Sequence, residues 1–100
     1  MISINNTVQG DVNEISLVGR LDVKAAKDVE QAFEEAASQP YDVVLDLTEL
    51  DYIASAGLRA LKRLNSAVSK NGHELTLRGV QPDVMDVFEL TGFAAILNFG

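Results

Sequence analysis

The chain has 100 residues, 47% of them hydrophobic, with two prolines and no cysteine. That is one globular domain with enough length to bury a core, and it excludes disulfides, thiolate nucleophiles and zinc-thiolate sites. Fifteen acidic residues against eight basic ones give a net charge of −7, which argues against nucleic acid and against charge-driven docking on an anionic membrane.

Ile2 and Ile4 alternate with polar neighbours and predict a first strand. Gln9-Gly10-Asp11 is turn chemistry, and Val12 to Gly19 reads as a second strand that closes a hairpin. Asp22 suits the N-cap of a helix whose apolar face is Ala26, Val29, Ala32, Phe33 and Ala36, ending before Pro40. Val43 to Leu47 is a short apolar run expected to be a buried strand. Thr48 to Ala54 reads as a connection. Ser55 then opens a second helix, with Leu58, Leu61, Leu64 and Val68 inward and Asn71-Gly72 as its stop. Glu74 to Arg78 alternates as a strand. Pro82 starts a third helix, Gly92 breaks it, and Ile96 to Phe99 is a last short strand. The order predicts a single α/β domain over residues 1–100. It has a mostly parallel sheet of about five strands, an N-terminal antiparallel hairpin, and helices packed on the sheet.

Chemistry is sparse. His73, the only histidine, follows a helix stop and has no nucleophile placed for it. The glycines form no phosphate loop, and no His and carboxylate pair has metal-ligand spacing. Asp46 at a strand end reads as a polar residue that holds a loop rather than as a magnesium or phosphoacceptor site. No nucleophile, base and oxyanion donors converge, so no enzyme, cofactor or metal is expected. The N-terminal residues are too polar for a signal peptide, and no apolar run approaches membrane-spanning length. The expectation is a cytoplasmic protein without membrane insertion, with a monomer as the simpler assumption.

The informative stretch is Asp51 to Leu58. Ser55 is placed to cap the helix that follows, and Ala56 and Gly57 would leave the helix start open to another protein. A phosphate on Ser55 would meet the free amides of a helix N-terminus. On residue physics alone, an ordinary capping serine with small neighbours is the simpler account. Arg59, Lys62, Arg63, Ser66 and Lys70 share the helix side away from the leucines. They form either a docking face for an acidic partner or a plain solvated face.

Gly19-Arg20-Leu21-Asp22, Val44-Leu45-Asp46-Leu47, Ile53-Ala54-Ser55-Ala56-Gly57-Leu58 and Phe88-Glu89-Leu90-Thr91-Gly92 occur here in order across nearly the whole chain. Together they resemble the STAS domain of bacterial anti-sigma factor antagonists. The resemblance implies a partner-switching protein. Its unphosphorylated form binds an anti-sigma factor that is also a serine kinase related to histidine-kinase ATPases, phosphorylation ends binding, and a serine phosphatase restores it. The family's phosphorylated serine corresponds to Ser55. The docking residues would be Asp22, Ser55, Gly57, Leu58, Arg59, Lys62 and Arg63. Two positions depart from the family pattern: Ala54 stands where an acid is common, and Ala56 where a hydroxyl residue is common. The departure at Ala54 favours an alternative, a STAS scaffold that is never phosphorylated, such as a subunit of a lipid transporter or a stress-signalling assembly.

Overall fold

The computed structural model describes residues 2–100. Among them the strands are β1 (Ile2–Gln9), β2 (Val12–Leu21), β3 (Asp42–Asp46), β4 (Leu50–Ile53), β5 (Leu75–Arg78) and β6 (Asn98–Phe99). The helices are α1 (Val23–Ser38), α2 (Ser55–Lys70) and α3 (Pro82–Leu90), with a single 3-10 turn at Phe93–Ala95. The expected hairpin, helices and mostly parallel sheet are present. β1 pairs antiparallel with β2 around Gly10, whose φ of 60° suits the turn, and every other pairing is parallel.

β3 and β5 shift by one residue from the sequence reading, and three differences are larger. The stretch taken as a connection contains β4, which pairs with the far end of β2 through Arg20–Tyr52 and Leu21–Ile53. Its burial runs Leu50 in, Asp51 and Tyr52 out, Ile53 in, so it lacks the period of two that marks a strand in sequence. The pairing slips between Gly19 and Arg20, and β2 continues to Leu21 beyond the glycine taken as its end. The last strand is shorter than expected, because Ile96 still belongs to the end of the 3-10 turn.

The strand order is β1-β2-β3-β5-β6, with β4 beside β2 beyond β3. The crossovers β2-α1-β3, β4-α2-β5 and β5-α3-β6 therefore all advance in one direction. Right-handed crossovers that advance one way stack their helices on one face. The burial pattern agrees. Ile15, Leu45 and Leu77 lie level on adjacent strands and are fully buried. The alternate residues Glu14, Ser16, Val44, Asp46 and Thr76 are partly exposed. Val29 and Phe33 of α1, Leu61 and Leu64 of α2, and Val84 and Phe88 of α3 join the same core. Phe88 also meets Phe99 of β6 at 5.9 Å between ring centroids.

One polar side chain lies in this core. Asn13 is fully buried and donates from Nδ2 to Gln39 Oε1 at 3.3 Å, tying β2 to the end of α1. On the other face Arg78 bridges Glu14 and Asp46 across three strands. Asp46 also accepts from the Thr48 amide at 3.0 Å and from the Thr48 hydroxyl. It is thus the loop-holding residue that its place in the sequence implied.

α2 is seated by a close approach. A Cβ on Gly57 would lie 2.8 Å from Leu21 Cγ and 2.9 Å from Ile53 Cγ1. Both neighbours are buried, so neither can swing away. Replacing glycine in an exposed helix interior with alanine gains up to about 1 kcal/mol, but forcing a methyl into a filled core costs roughly 1–3 kcal/mol. Steric cost wins here. Gly57→Ala is expected to lower stability by about 1 kcal/mol or more in urea unfolding; an unchanged or raised midpoint would show that the helix start can shift freely.

Candidate functional site

β2 and β4 end side by side, and each feeds a helix. Ala54 donates its N–H to Leu21 O at 2.9 Å. This sets Asp22 level with Ala54, on strands about 5 Å apart. The N-termini of α1 and α2 are consequently neighbours at one end of the sheet.

Their caps differ. Asp22 caps α1, its Oδ1 accepting from the Ala25 amide at 2.9 Å. That hydrogen bond holds the Asp22 carboxyl below the ordinary carboxylate range. At α2 the N-cap is Ala54, and no side chain caps the helix. Ser55, expected as the cap, stands one position later as the first helical residue, and it is exposed. The reason is the backbone hydrogen bond to Leu21, which keeps Ala54 extended at φ −92° and ψ 169°. The first-turn amides of a helix lack intrahelical acceptors, and no acidic residue occupies the first turn of α2. The Ser55 hydroxyl is thus free of structural duty and stands at the positive end of a helix.

The other expected docking residues divide by exposure. Arg59 and Lys62 are exposed, and Arg59 lies one turn beyond Ser55 on the same side of α2. Arg63 is also exposed but leans toward α1, with its guanidinium 3.5 Å from the Glu30 carboxylate. An ion pair this open to water contributes little to stability. Gly57 and Leu58 are buried, Leu58 at 5% exposure. Gly57 does not hold the surface open as the sequence suggested, since it faces Leu21 and Ile53, whereas Ala56 is half-buried. Leu58 and Gly57 therefore set the pose of α2.

Three exposed groups at this end of β2, β4 and α1 are not among the expected docking residues. The Arg20 guanidinium lies 4.1 Å from the centre of the Tyr52 ring, Tyr52 is 40% exposed, and Val23 at the start of α1 is 65% exposed. Arg20 and Tyr52 meet only because β4 pairs with β2, so reading β4 as a connection hid them. Val23 could have been found as the one branched apolar residue in the first turn of α1.

Other features stay apart from this end. His73 Nδ1 lies 3.4 Å from Asp42 Oδ1 at the opposite end of the parallel strands. A groove of about 240 Å³ between α1 and α2 is lined by Phe33, Ala37, Ala60 and Leu64, with Glu30 and Arg63 among its polar residues; Ser55 is not part of it. Among the described residues no three His, Cys, Asp or Glu side chains cluster to hold a metal ion, and no helix is long and apolar enough to cross a membrane.

A singly wound, mostly parallel sheet with an antiparallel N-terminal hairpin and three helices is the architecture of STAS domains. The STAS domain family model matches residues 3–100, and the chain belongs to that family. BtrV of Bordetella bronchiseptica, a candidate anti-sigma factor antagonist, is 46% identical over 54 residues, which are 54% of this chain and 47% of that protein. The anti-sigma-B factor antagonist of Staphylococcus aureus is 26% identical over 97% of this chain and 91% of its own length. Two solved structures share the fold. An anti-sigma factor antagonist from Mycobacterium paratuberculosis has a TM-score of 0.88 at 23% identity, covering 99% of this chain and 85% of that one. The Bacillus cell-fate determinant SpoIIAA in its phosphorylated form has a TM-score of 0.74 at 17% identity, covering 100% of this chain and 91% of that one.

The Asp22 cap carries a sign that can be tested. A carboxyl held below its ordinary range stabilises the fold at and above that range, and the stabilisation is lost as pH falls through the lowered folded value. Asp46 behaves alike, through the Thr48 hydroxyl first, the Thr48 amide next and Arg78 last. Asparagine caps helices about as well as aspartate. Asp22→Asn is therefore expected to unfold near the wild-type urea midpoint at neutral pH and to lose less stability below about pH 4. An acid slope equal to wild type would remove Asp22 from the cap.

Proposed function

We propose that this chain is an anti-sigma factor antagonist that works by partner switching. Its unphosphorylated form binds an anti-sigma factor that is also a serine kinase, transfer of a phosphoryl group to Ser55 ends the binding, and a serine phosphatase restores it. The observation that carries the reading is the exposed Ser55 hydroxyl at the start of α2, engaged in no cap bond. The full-length likeness to the Staphylococcus aureus antagonist supports it, as does the existence of a phosphorylated form of SpoIIAA on the same fold.

The residues around Ser55 define how such a switch acts. Val23 and Tyr52 offer apolar contact, while Asp22, Arg59 and Lys62 offer charge. Gly57 and Leu58 contribute by fixing the helix beneath them, and Arg63 lies at the α1 side of the surface. A phosphate on Ser55 adds nearly two negative charges, with the helix amides and Arg59 at hand to hold it. The fold is left intact and the surface changes sign, close to the Asp22 carboxylate. Ala54 supplies no acid at the place before the serine. This favours the second reading, a scaffold that is never phosphorylated, and the same experiment separates the two. In both readings the chain binds rather than catalyses, and the cytoplasm is its compartment.

The phosphorylation test is intact-mass analysis of the protein from its native cells, and of pure protein with ATP and a candidate kinase. The expected result is one phosphatase-sensitive addition mapped to Ser55; protein unmodified in both settings would transfer the reading to the scaffold. Ser55→Asp is expected to weaken partner binding by about tenfold or more, roughly 1.4 kcal/mol, with an unchanged circular dichroism spectrum. Ser55→Ala is expected to bind normally and to resist release by ATP. Because the hydroxyl makes no cap bond, this variant should lose less than about 0.5 kcal/mol of stability. Release of Ser55→Ala by ATP at the wild-type rate would place the switch elsewhere.

A further inference from the structure

β1 is the outer strand of the sheet, and only its inner side is paired. All eight residues face β2 in an unbroken register from Ile2–Gly19 to Gln9–Val12. The strand contains no charged residue and no proline, and the first charged side chain in the chain is Asp11. A strand edge is a row of free N–H and C=O groups that templates pairing, and proteins normally blunt it with charge, proline, a bulge, shortness or a cover. The other edges are managed in these ways. β6 has two residues. β4 has four, including Asp51, sits beside a register slip, and has α3 packed against it. β1 touches α1 but has none of the other devices. Val8, moreover, is 47% exposed on the face that carries Ile2 and Ile4.

We propose that β1 is a self-association edge: two copies of the chain pair their β1 strands antiparallel about a two-fold axis, joining their sheets. The choice of a second copy as occupant rests on charge and on self-complementarity. A chain of net charge −7 repels its own copy, so self-contact needs a charge-free strip, and β1 is that strip. The acid next inward from β1 on the open face, Glu14 opposite Thr7, is already paired with Arg78. A basic partner strand would find no acid on β1 to select it. A two-fold axis perpendicular to the sheet keeps the two faces matched, so opposed residues share parity. With the axis at Asn5, Ile2 meets Val8 of the second copy and Ser3 meets its Thr7. With the axis at Asn6, Ile4 meets that Val8 and Asn5 meets its Thr7. In both registers Val8 is covered by an isoleucine and no charge faces a charge. Such matched cross-strand pairs are the unit of sheet stability. The dimer departs from the monomer taken as the simpler assumption, and it leaves Ser55, at the start of α2, outside the paired strands.

The test is sedimentation velocity of the 100-residue chain over a concentration series, at low and at high salt. The expected result is a reversible dimer that tightens as salt rises, because screening relieves like-charge repulsion. Asn5→Lys sets like charges at or near the axis and should raise the dimer Kd about tenfold or more, with unchanged circular dichroism, since Asn5 is exposed. The chain lacks cysteine, so Asn5→Cys and Asn6→Cys each carry a unique thiol. Opposed Cα atoms in an antiparallel pair lie about 4.5–5.5 Å apart, within disulfide range. One of the two variants should therefore cross-link on mild oxidation, while Glu35→Cys on α1 should not. A monomer at every concentration and salt level would overturn the proposal. So would a dimer that Asn5→Lys leaves intact, or protection of the β1 amides from hydrogen exchange only when a different protein is present.

Discussion

The constraint on which the rest of the structure depends is that all three crossovers advance in the same direction across the sheet. Right-handedness then puts every helix on one face. One core serves the whole domain, built from the level row of Ile15, Leu45 and Leu77 and closed by the leucines of α2. The same winding sends β2 and β4 to a common end, where both release their helices side by side. The place of Ser55 is thus a result of topology. It stands beside Asp22 because their strands are neighbours, although the two are 33 positions apart in the chain.

Two forces fix the end that carries the serine. The Ala54 amide bonded to Leu21 holds the chain extended up to the first residue of α2. The absent side chain of Gly57 lets that helix sit directly on Leu21 and Ile53. Backbone and core residues thus define the geometry, and the exposed side chains Ser55, Arg59 and Lys62 ride on it. The arrangement suits a site read by another protein, since modification of the hydroxyl breaks no contact that holds the fold.

Much of this was legible in the sequence, because apolar periodicity and punctuation agreed. Asp22 before a helical stripe, Pro82 at a helix start and Gly10 in a hairpin turn each have one physical meaning, and each is realised. The inward leucines of α2 were equally plain. β4 was not legible, because four residues paired past a bulge show no alternation. That omission concealed the Arg20–Tyr52 pair, which exists only through the register of two strands. By residue type serine is a better cap than alanine, but the long-range bond to Leu21 makes Ala54 the cap. Gly57 was recognised as unusual, but only the packed structure tells whether a glycine opens a surface or closes a core.

The separation of duties at the start of α2 bears on how such domains diversify. The side chains at positions 55, 59 and 62 are exposed and outside the core, so they are free to vary without disturbing the packing. Positions 21, 53 and 57 are held by packing and stay put. If the chain works as proposed, a duplicated copy can acquire a new partner, and lose cross-talk with the old one, through a few surface changes that cost little stability. Parallel circuits built from this domain can be insulated from each other in one cell without rebuilding the scaffold.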